Sequence, residues 1–325
     1  MNENIKKLMD MISVEIGQLG FDREPRSLYE PVTYCLSLGG KRMRPLFTLL
    51  GCELFGGKPQ QAMPAAIGLE LFHNFTLMHD DIMDKAPIRR GKPAVHMKWN
   101  ASTAILSGDA MFALAYSYIT NVPDQYLRDI LALFNKTVLE VCEGQQYDMD
   151  FESLDQVSEA AYLKMIRLKT AVLPAACLKT GAILAGAKPD DGDRVYRFGE
   201  CIGLAFQIKD DWLDVFGDEE VFGKKSGGDI LANKKTWLYI KALELASPEH
   251  KQVLHDAFSG KISHPDEKIA AVKDVYQTLD IENLAMQLMK DYHNQALITL
   301  DEISQREGAD QDLLVVANSL LNRKQ

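Results

Sequence analysis

The sequence predicts an all-α protein: one large helical bundle, a single domain over residues 1–325, closed around a central cavity. Three observations carry that expectation. Apolar residues recur at helical steps, as in Leu71, Phe75, Met78 and Ile82, and no stretch alternates as a strand would. No linker is long enough to divide the chain into domains. Two apolar helices carry one acid spacing, Asp80-Asp81-x-x-Asp84 and Asp210-Asp211-x-x-Asp214; facing each other, they would put six carboxylates around one cavity.

Composition narrows the class. Apolar residues make up 46% of the chain, ample for a core, and 25% charged residues argue against wholesale disorder. A net charge of −10 leaves no basic surplus for nucleic-acid phosphates, so no nucleic-acid partner is expected. The five cysteines are widely spaced without CxxC, which suits free thiols in a reducing compartment. The first residues lack an apolar signal core, and the weakly polar run from Ala171 to Ala187 contains Pro174 and Lys179. A soluble cytoplasmic protein with no transmembrane segment is expected.

Taken in order, residues 2–20 read as an amphipathic helix and a second helix runs from near Leu28 to Leu38. Gly39-Gly40 ends it, and Lys41, Arg42 and Arg44 precede Pro45, which can open the next helix. Three cations beside a glycine hinge form a diphosphate cradle or, equally, a basic loop. Gly56-Gly57-Lys58-Pro59 breaks the chain before the first aspartate helix. On that helix Asp80 and Asp84 lie one turn apart, with His73 on nearly the same stripe. Three acids in five residues repel one another unless a cation neutralises them. Hard oxygen ligands suit Mg²⁺ or Ca²⁺, and incomplete protein ligation suits Mg²⁺ holding a substrate phosphate.

After Asp84 the chain turns irregular, and Arg89 and Arg90 adjoin the acids as bidentate phosphate binders would. Residues 102–120 and 126–143 read as long helices, closed by Gln145 to Asp150 as a polar helix end. A further helix, Tyr162 to Ala187, should kink at Pro174, beside Lys169 and Thr170. Asp190-Asp191-Gly192-Asp193 reads as a loop of solvated acids. Val195 to Phe216 is the second aspartate helix, with Gln207 one turn before Asp210 and Asp211. Glycines beside Lys224 and Lys234 read as a flexible lid that can bring positive charge over a bound diphosphate. More polar helices complete the chain.

The motifs Gly39-Gly40-Lys41-Arg42-Met43-Arg44, Asp80-Asp81-Ile82-Met83-Asp84 and Asp210-Asp211-Trp212-Leu213-Asp214, in this order, resemble the trans-isoprenyl diphosphate synthases (polyprenyl synthetases) over residues 30–240. The resemblance implies a Mg²⁺-dependent, head-to-tail condensation of isopentenyl diphosphate with an allylic diphosphate. Asp80, Asp81, Asp84, Asp210 and Asp214 would hold the metal ions, and Asp211 and Lys169 join them as catalytic residues. Lys41, Arg44, His73 and Arg90 would take the homoallylic diphosphate. Arg89, Lys169 and Thr170 would take the allylic one, and Gln207, Lys224 and Lys234 would also bind substrate. The released diphosphate is the family's proton acceptor, so no nucleophilic side chain is required. Homodimerisation is a family expectation. Trp212 and Lys209 depart from the usual second motif without removing a ligand.

Chain length should depend on bulk beneath the first motif. Phe75 lies roughly 7.5 Å and Phe72 about 12 Å down the axis from Asp80, and either ring can stop a growing tail. Thr76 is small where one farnesyl-type subfamily has a second aromatic, and the first motif has no insertion. This pattern resembles synthases stopping at C20 (geranylgeranyl diphosphate), with C15 (farnesyl) next. A class I terpene cyclase would lack the Lys41–Arg44 site, and a non-catalytic partner subunit would usually lack one aspartate cluster. A di-iron carboxylate bundle is suggested only by Glu70-x-x-His73, which no other histidine repeats.

Overall fold

The computed structural model describes residues 2–217, 226–303 and 310–321. Among them the only strands are the two-residue pair β1 (Ile88–Arg89) and β2 (Lys92–Pro93); the rest is helix and turn. The helices are α1 (Glu3–Gly17), α2 (Arg26–Ser37), α3 (Met43–Leu54), α4 (Pro59–Met83), α5 (Val95–Lys98), α6 (Ala101–Ile119), α7 (Asp124–Ser153) and α8 (Glu159–Ile166). A π-helical turn, Arg167–Ala171, leads into α9 (Val172–Leu184), followed by α10 (Pro189–Phe216), α11 (Gly228–Leu231), α12 (Trp237–Leu245), α13 (Pro248–Phe258), α14 (Pro265–Thr278), α15 (Ile281–Asp301) and α16 (Gln311–Leu321). No helix of the described residues is long and apolar enough to cross a membrane.

Contacts divide the chain into two units. The first comprises residues 1–135, 176–196 and 303–313. Its centre is α4, which packs on α3 and α6 and buries Ala62, Ala65, Ala66, Ile67, Leu69, Leu71 and Phe72. A buried ring such as Phe72 contributes about 1.5–3 kcal/mol over an exposed one. Asn2 caps α1 by accepting the Ile5 N–H at 3.0 Å, and Ile5, Leu8 and Ile12 give that helix its buried face. Pro59 opens α4 at its first turn, where a missing N–H is harmless.

The second unit comprises residues 136–175, 197–302 and 314–325. Its core gathers Tyr162, Ile166, Ile208, Val215, Trp237, Leu238, Leu254, Val272, Tyr276 and Ile281. Ser158 caps α8 by accepting from the Ala161 N–H at 3.2 Å. The more polar final third of the chain still builds this core, since α12 to α15 supply more than half of it.

Two local expectations are corrected. Residues 145–150 do not end a helix: α7 continues to Ser153. The acids 190–193 are not a loop but the first turn of α10, begun by Pro189; Asp190 and Asp193 are exposed as expected, and Asp191 is not. Carboxylates there complement the helix dipole; Asp191 is buried and paired to Arg194 at 3.0 Å, and Asp193 to Lys179 at 2.5 Å. The five cysteines are free thiols, four buried and Cys142 exposed. Burial pushes Cys35 and Cys177 up to about 12.

Candidate active site

In the first unit, Asp80 and Asp81 occupy the last turn of α4 and Asp84 caps it. Carboxylates at this end oppose the helix dipole as well as each other, so the arrangement calls for a cation. One is supplied by the protein. Arg89 donates from Nε to Asp81 Oδ1 at 2.9 Å and reaches Asp80 at 3.9 Å. Burial lowers the Arg89 pKa, but the hydrogen bond and charge of Asp81, with Asp80 and Asp84, more than reverse that. Asp81 is itself 3% exposed, so its charge is buried with Arg89 as its partner.

The adjacent arginine turns elsewhere. The β1–β2 hairpin turns through Arg90 (φ 52°) and Gly91 (φ 76°), which separates the two guanidiniums. Arg90 donates from Nη1 to the Gly39 carbonyl. Gly40 holds φ 125°, a backbone that strains any residue with a side chain, and a Cβ there would also press on that guanidinium at 2.7 Å. The Gly39-Gly40 turn and the Arg90 hairpin thus form one basic corner; Arg44 and Arg90 both act on His73, and Lys41 follows Gly40 in the chain. Arg42, left-handed at φ 47°, precedes α3 and forms a 2.6 Å ion pair with buried Glu70, which also accepts from Asn74 at 3.0 Å. His73 is buried and held far below the ordinary imidazole range by desolvation and by Arg44, Arg90, Arg89 and Arg42. It is a neutral imidazole among four guanidiniums. Glu70 pairs with Arg42 and Asp81 with Arg89; a corner this rich in guanidiniums suits an anion.

Below the aspartates, Phe75 stacks on Phe112 of α6 with centroids 5.0 Å apart and planes 19° apart. Phe72, fully buried, meets Phe75 at 5.9 Å and Phe134 at 5.4 Å. Thr76 donates to the His73 carbonyl at 2.8 Å. Phe112 and Phe134 were not singled out by sequence; an aromatic on a different helix gives no periodic signal.

In the second unit a cavity of about 240 Å³ is lined by Asp148, Tyr162, Lys169, Thr170, Gln207, Asp210, Asp211, Asp214, Asp229 and Lys234, among others. The expected kink is a π-turn: the Val172 N–H bonds to Arg167 O, five residues back, as Pro174 has no N–H to continue the ladder. Lys169 pairs with Asp148 at 2.6 Å, and Thr170 donates to Gln207 at 2.9 Å. Gln207 in turn donates to Asp211 Oδ1 at 3.0 Å, while Tyr162 donates to Asp211 Oδ2. Both oxygens of Asp211 are therefore engaged. Burial and the Asp229 charge push its acid up to about 8, against the two hydrogen bonds. Burial and Asp214 push Asp229 up to about 6.

Asp148 and Asp229 are cavity carboxylates that sequence reasoning missed. Asp148 sits within a stretch read as a helix end, and Asp229 follows a glycine run with no spaced partner. Trp212 and Lys209 stack on each other at 3.9 Å and neither lines the cavity. Lys234 lines it and lies 3.8 Å from Asp229; Lys235 lines it too and donates to the Phe151 carbonyl at 2.8 Å. Lys224 lies outside the described residues.

Among the described residues no three carboxylate, imidazole or thiol groups converge as a ready-made metal cage. The donor set still fits Mg²⁺, which keeps several waters and takes phosphate oxygens beside one or two carboxylates. The raised acids Asp211 and Asp229 mark a site crowded with negative charge.

Comparison with known proteins agrees. The polyprenyl synthetase family profile matches residues 25–279. A geranylgeranyl diphosphate synthase of Methanosarcina mazei is 39% identical over 294 residues, 89% of each chain. A short chain isoprenyl diphosphate synthase of Methanothermobacter thermautotrophicus is 37% identical over 98% of each. A geranylfarnesyl diphosphate synthase of Natronomonas pharaonis is 37% identical over 68% of this chain and 70% of its own. A crystal structure of a geranylgeranyl pyrophosphate synthase superposes with a TM-score of 0.94 at 42% identity, covering both chains completely. The fold and these matches define an all-α prenyl synthase. The chain belongs to the polyprenyl synthetase family, and it is a prenyltransferase.

Proposed function

We propose that the enzyme condenses isopentenyl diphosphate head to tail with an allylic diphosphate to give all-trans geranylgeranyl diphosphate, acting as one domain, a homodimer and a cytoplasmic enzyme. The observation that carries a two-diphosphate reaction is the basic corner around neutral His73, distinct in chemistry from the carboxylate-rich cavity lined by Lys169 and Lys234. One anion site alone would suit a cyclase; two suit a condensation.

Asp80, Asp81 and Asp84 on the first motif, and Asp210 and Asp214 on the second, are the Mg²⁺ ligands in this reading. Asp211 differs from them, because Tyr162 and Gln207 engage both of its oxygens, whereas Arg89 engages only Oδ1 of Asp81. Bound Mg²⁺ supplies Lewis-acid neutralisation of charge developing on the leaving diphosphate. Lys169 and Lys234 add positive charge in their cavity, which Thr170 and Gln207 also line, and Arg89 adds it beside Asp80 and Asp81. Lys41, Arg44 and Arg90 bind the homoallylic diphosphate. His73, being neutral, offers a hydrogen bond without charge, and no side chain is needed as nucleophile. Phe75, backed by Phe112 and Phe72, is the floor that stops the chain at C20; C15 is the second reading if the floor lies closer to the metals.

The test of the site is a pair of variants assayed against each substrate. Arg44→Ala is expected to raise KM for isopentenyl diphosphate by about tenfold or more while sparing that for the allylic partner. Lys169→Ala should do the reverse. Parallel changes in both would contradict the division.

A further inference from the structure

Lys268 lies in the first turn of α14, far along the chain from every motif, and is only 7% exposed. A buried ammonium is expensive, and at a helix N-terminus it also opposes the dipole. Its hydrogen bonds go to neutral acceptors: Asn233 Oδ1 at 2.5 Å and the Leu231 carbonyl at 3.4 Å, with the ring of Phe258 at 5.4 Å. Burial lowers its pKa.

Both oxygens belong to the turn that carries two cavity residues. Leu231 ends α11, and Asn233 is left-handed at φ 57°. The next residue, Lys234, bonds through its N–H to the Asp229 carbonyl at 2.9 Å. Asp229 donates its own N–H to Asp214 Oδ2 at 2.9 Å, and Gly227 N–H bonds to the Asp214 carbonyl at 2.6 Å. An unbroken series of contacts therefore runs from Lys268 through Asn233 to Lys234, Asp229 and Asp214.

We propose that Lys268 is a positioning residue of the active site: its ammonium fixes the Leu231–Asn233 turn and so sets Lys234 and Asp229 against Asp214. The inference rests on the reading of this cavity as the allylic diphosphate site. An ammonium serves here because one group must reach both a side-chain amide and a helix-terminal carbonyl from a buried stem.

Amide hydrogen exchange on the resting enzyme tests the proposal directly, with substrate kinetics alongside. Lys268→Met keeps the stem and removes the donor. It should speed exchange at Asp229 and Lys234 by about tenfold, as expected for one lost charge-assisted hydrogen bond, and leave the core amide of Tyr276 unchanged. KM for the allylic diphosphate should rise by about the same factor, with that for isopentenyl diphosphate constant, and Lys268→Arg should restore most of both. If Lys268→Met does not fold, Asn233→Gly carries the test, because it permits the left-handed backbone but removes the acceptor; the same local loosening is expected. Unchanged exchange at Asp229 and Lys234, or faster exchange everywhere with both KM values raised together, would overturn the positioning role. Lys234→Ala with an unaltered allylic KM would instead refute the site reading, leaving the exchange data to judge Lys268.

Discussion

At the scale of single residues, charge placement decides what each side chain does. Asp81 and Asp211 sit beside acids of the same motifs, yet Arg89 engages one oxygen of Asp81, and Tyr162 and Gln207 engage both of Asp211. Replacing Asp210 by Asn, which removes charge and keeps shape, should lower kcat by about 10²–10³ or more, as loss of leaving-group stabilisation does. Steady-state assays at saturating Mg²⁺ check this. His73 gives a pH prediction. Its imidazole titrates lower in the folded protein than in the unfolded chain, because burial and Arg44, Arg90, Arg89 and Arg42 all disfavour imidazolium. As pH falls below the unfolded value near 6.5, the unfolded chain takes up a proton that the folded one refuses. Stability contributed by neutral His73 is therefore full above that pH and lost on acidification, by at most about 1.4 kcal/mol per pH unit. Denaturant melts between pH 7.5 and 5.5 should be less steep in pH for His73→Gln than for the parent protein.

At the scale of elements, close approaches place the chemistry. Gly144 on α7 lies where a Cβ would come within 2.2 Å of the Lys169 backbone nitrogen, so the glycine lets α7 reach the π-turn. Gly144→Ala should cost about 1–3 kcal/mol through overpacking, visible as a lowered Tm, and should weaken allylic binding by displacing Lys169. The proposed aromatic floor joins rings from two helices, Phe75 on α4 and Phe112 on α6. Phe112→Ala on α6 should lengthen the product much as Phe75→Ala does, read by chromatography of the dephosphorylated prenols; an unchanged product would remove Phe112 from the floor. The aspartate helices and the glycine hinge were legible because period and spacing mark them locally. Asp148, Asp229, Phe112 and Lys268 were not, since each works through a partner brought close by packing. The acids 190–193 misled because Pro-Asp-Asp-Gly reads as a turn when Pro189 in fact opens α10.

At the scale of the whole molecule, the chain devotes both compact units to charge. In one, guanidiniums collect at a glycine turn and at the end of α4; in the other, carboxylates and lysines line a cavity beside a π-turn. Neither collection is economical for stability, since like charges in each must be held together by burial and hydrogen bonds. That investment is expected where two diphosphates and their metal ions supply the missing countercharge. Removal of divalent cations with a chelator should therefore abolish turnover and leave the fold intact, and re-addition of Mg²⁺ should restore it. The most direct test of the account is product chain length from purified protein with Mg²⁺ and labelled isopentenyl diphosphate, primed separately with dimethylallyl, geranyl and farnesyl diphosphates. Geranylgeranyl diphosphate from all three primers is the result the account predicts; no condensation with any primer, in protein that binds Mg²⁺, would contradict it.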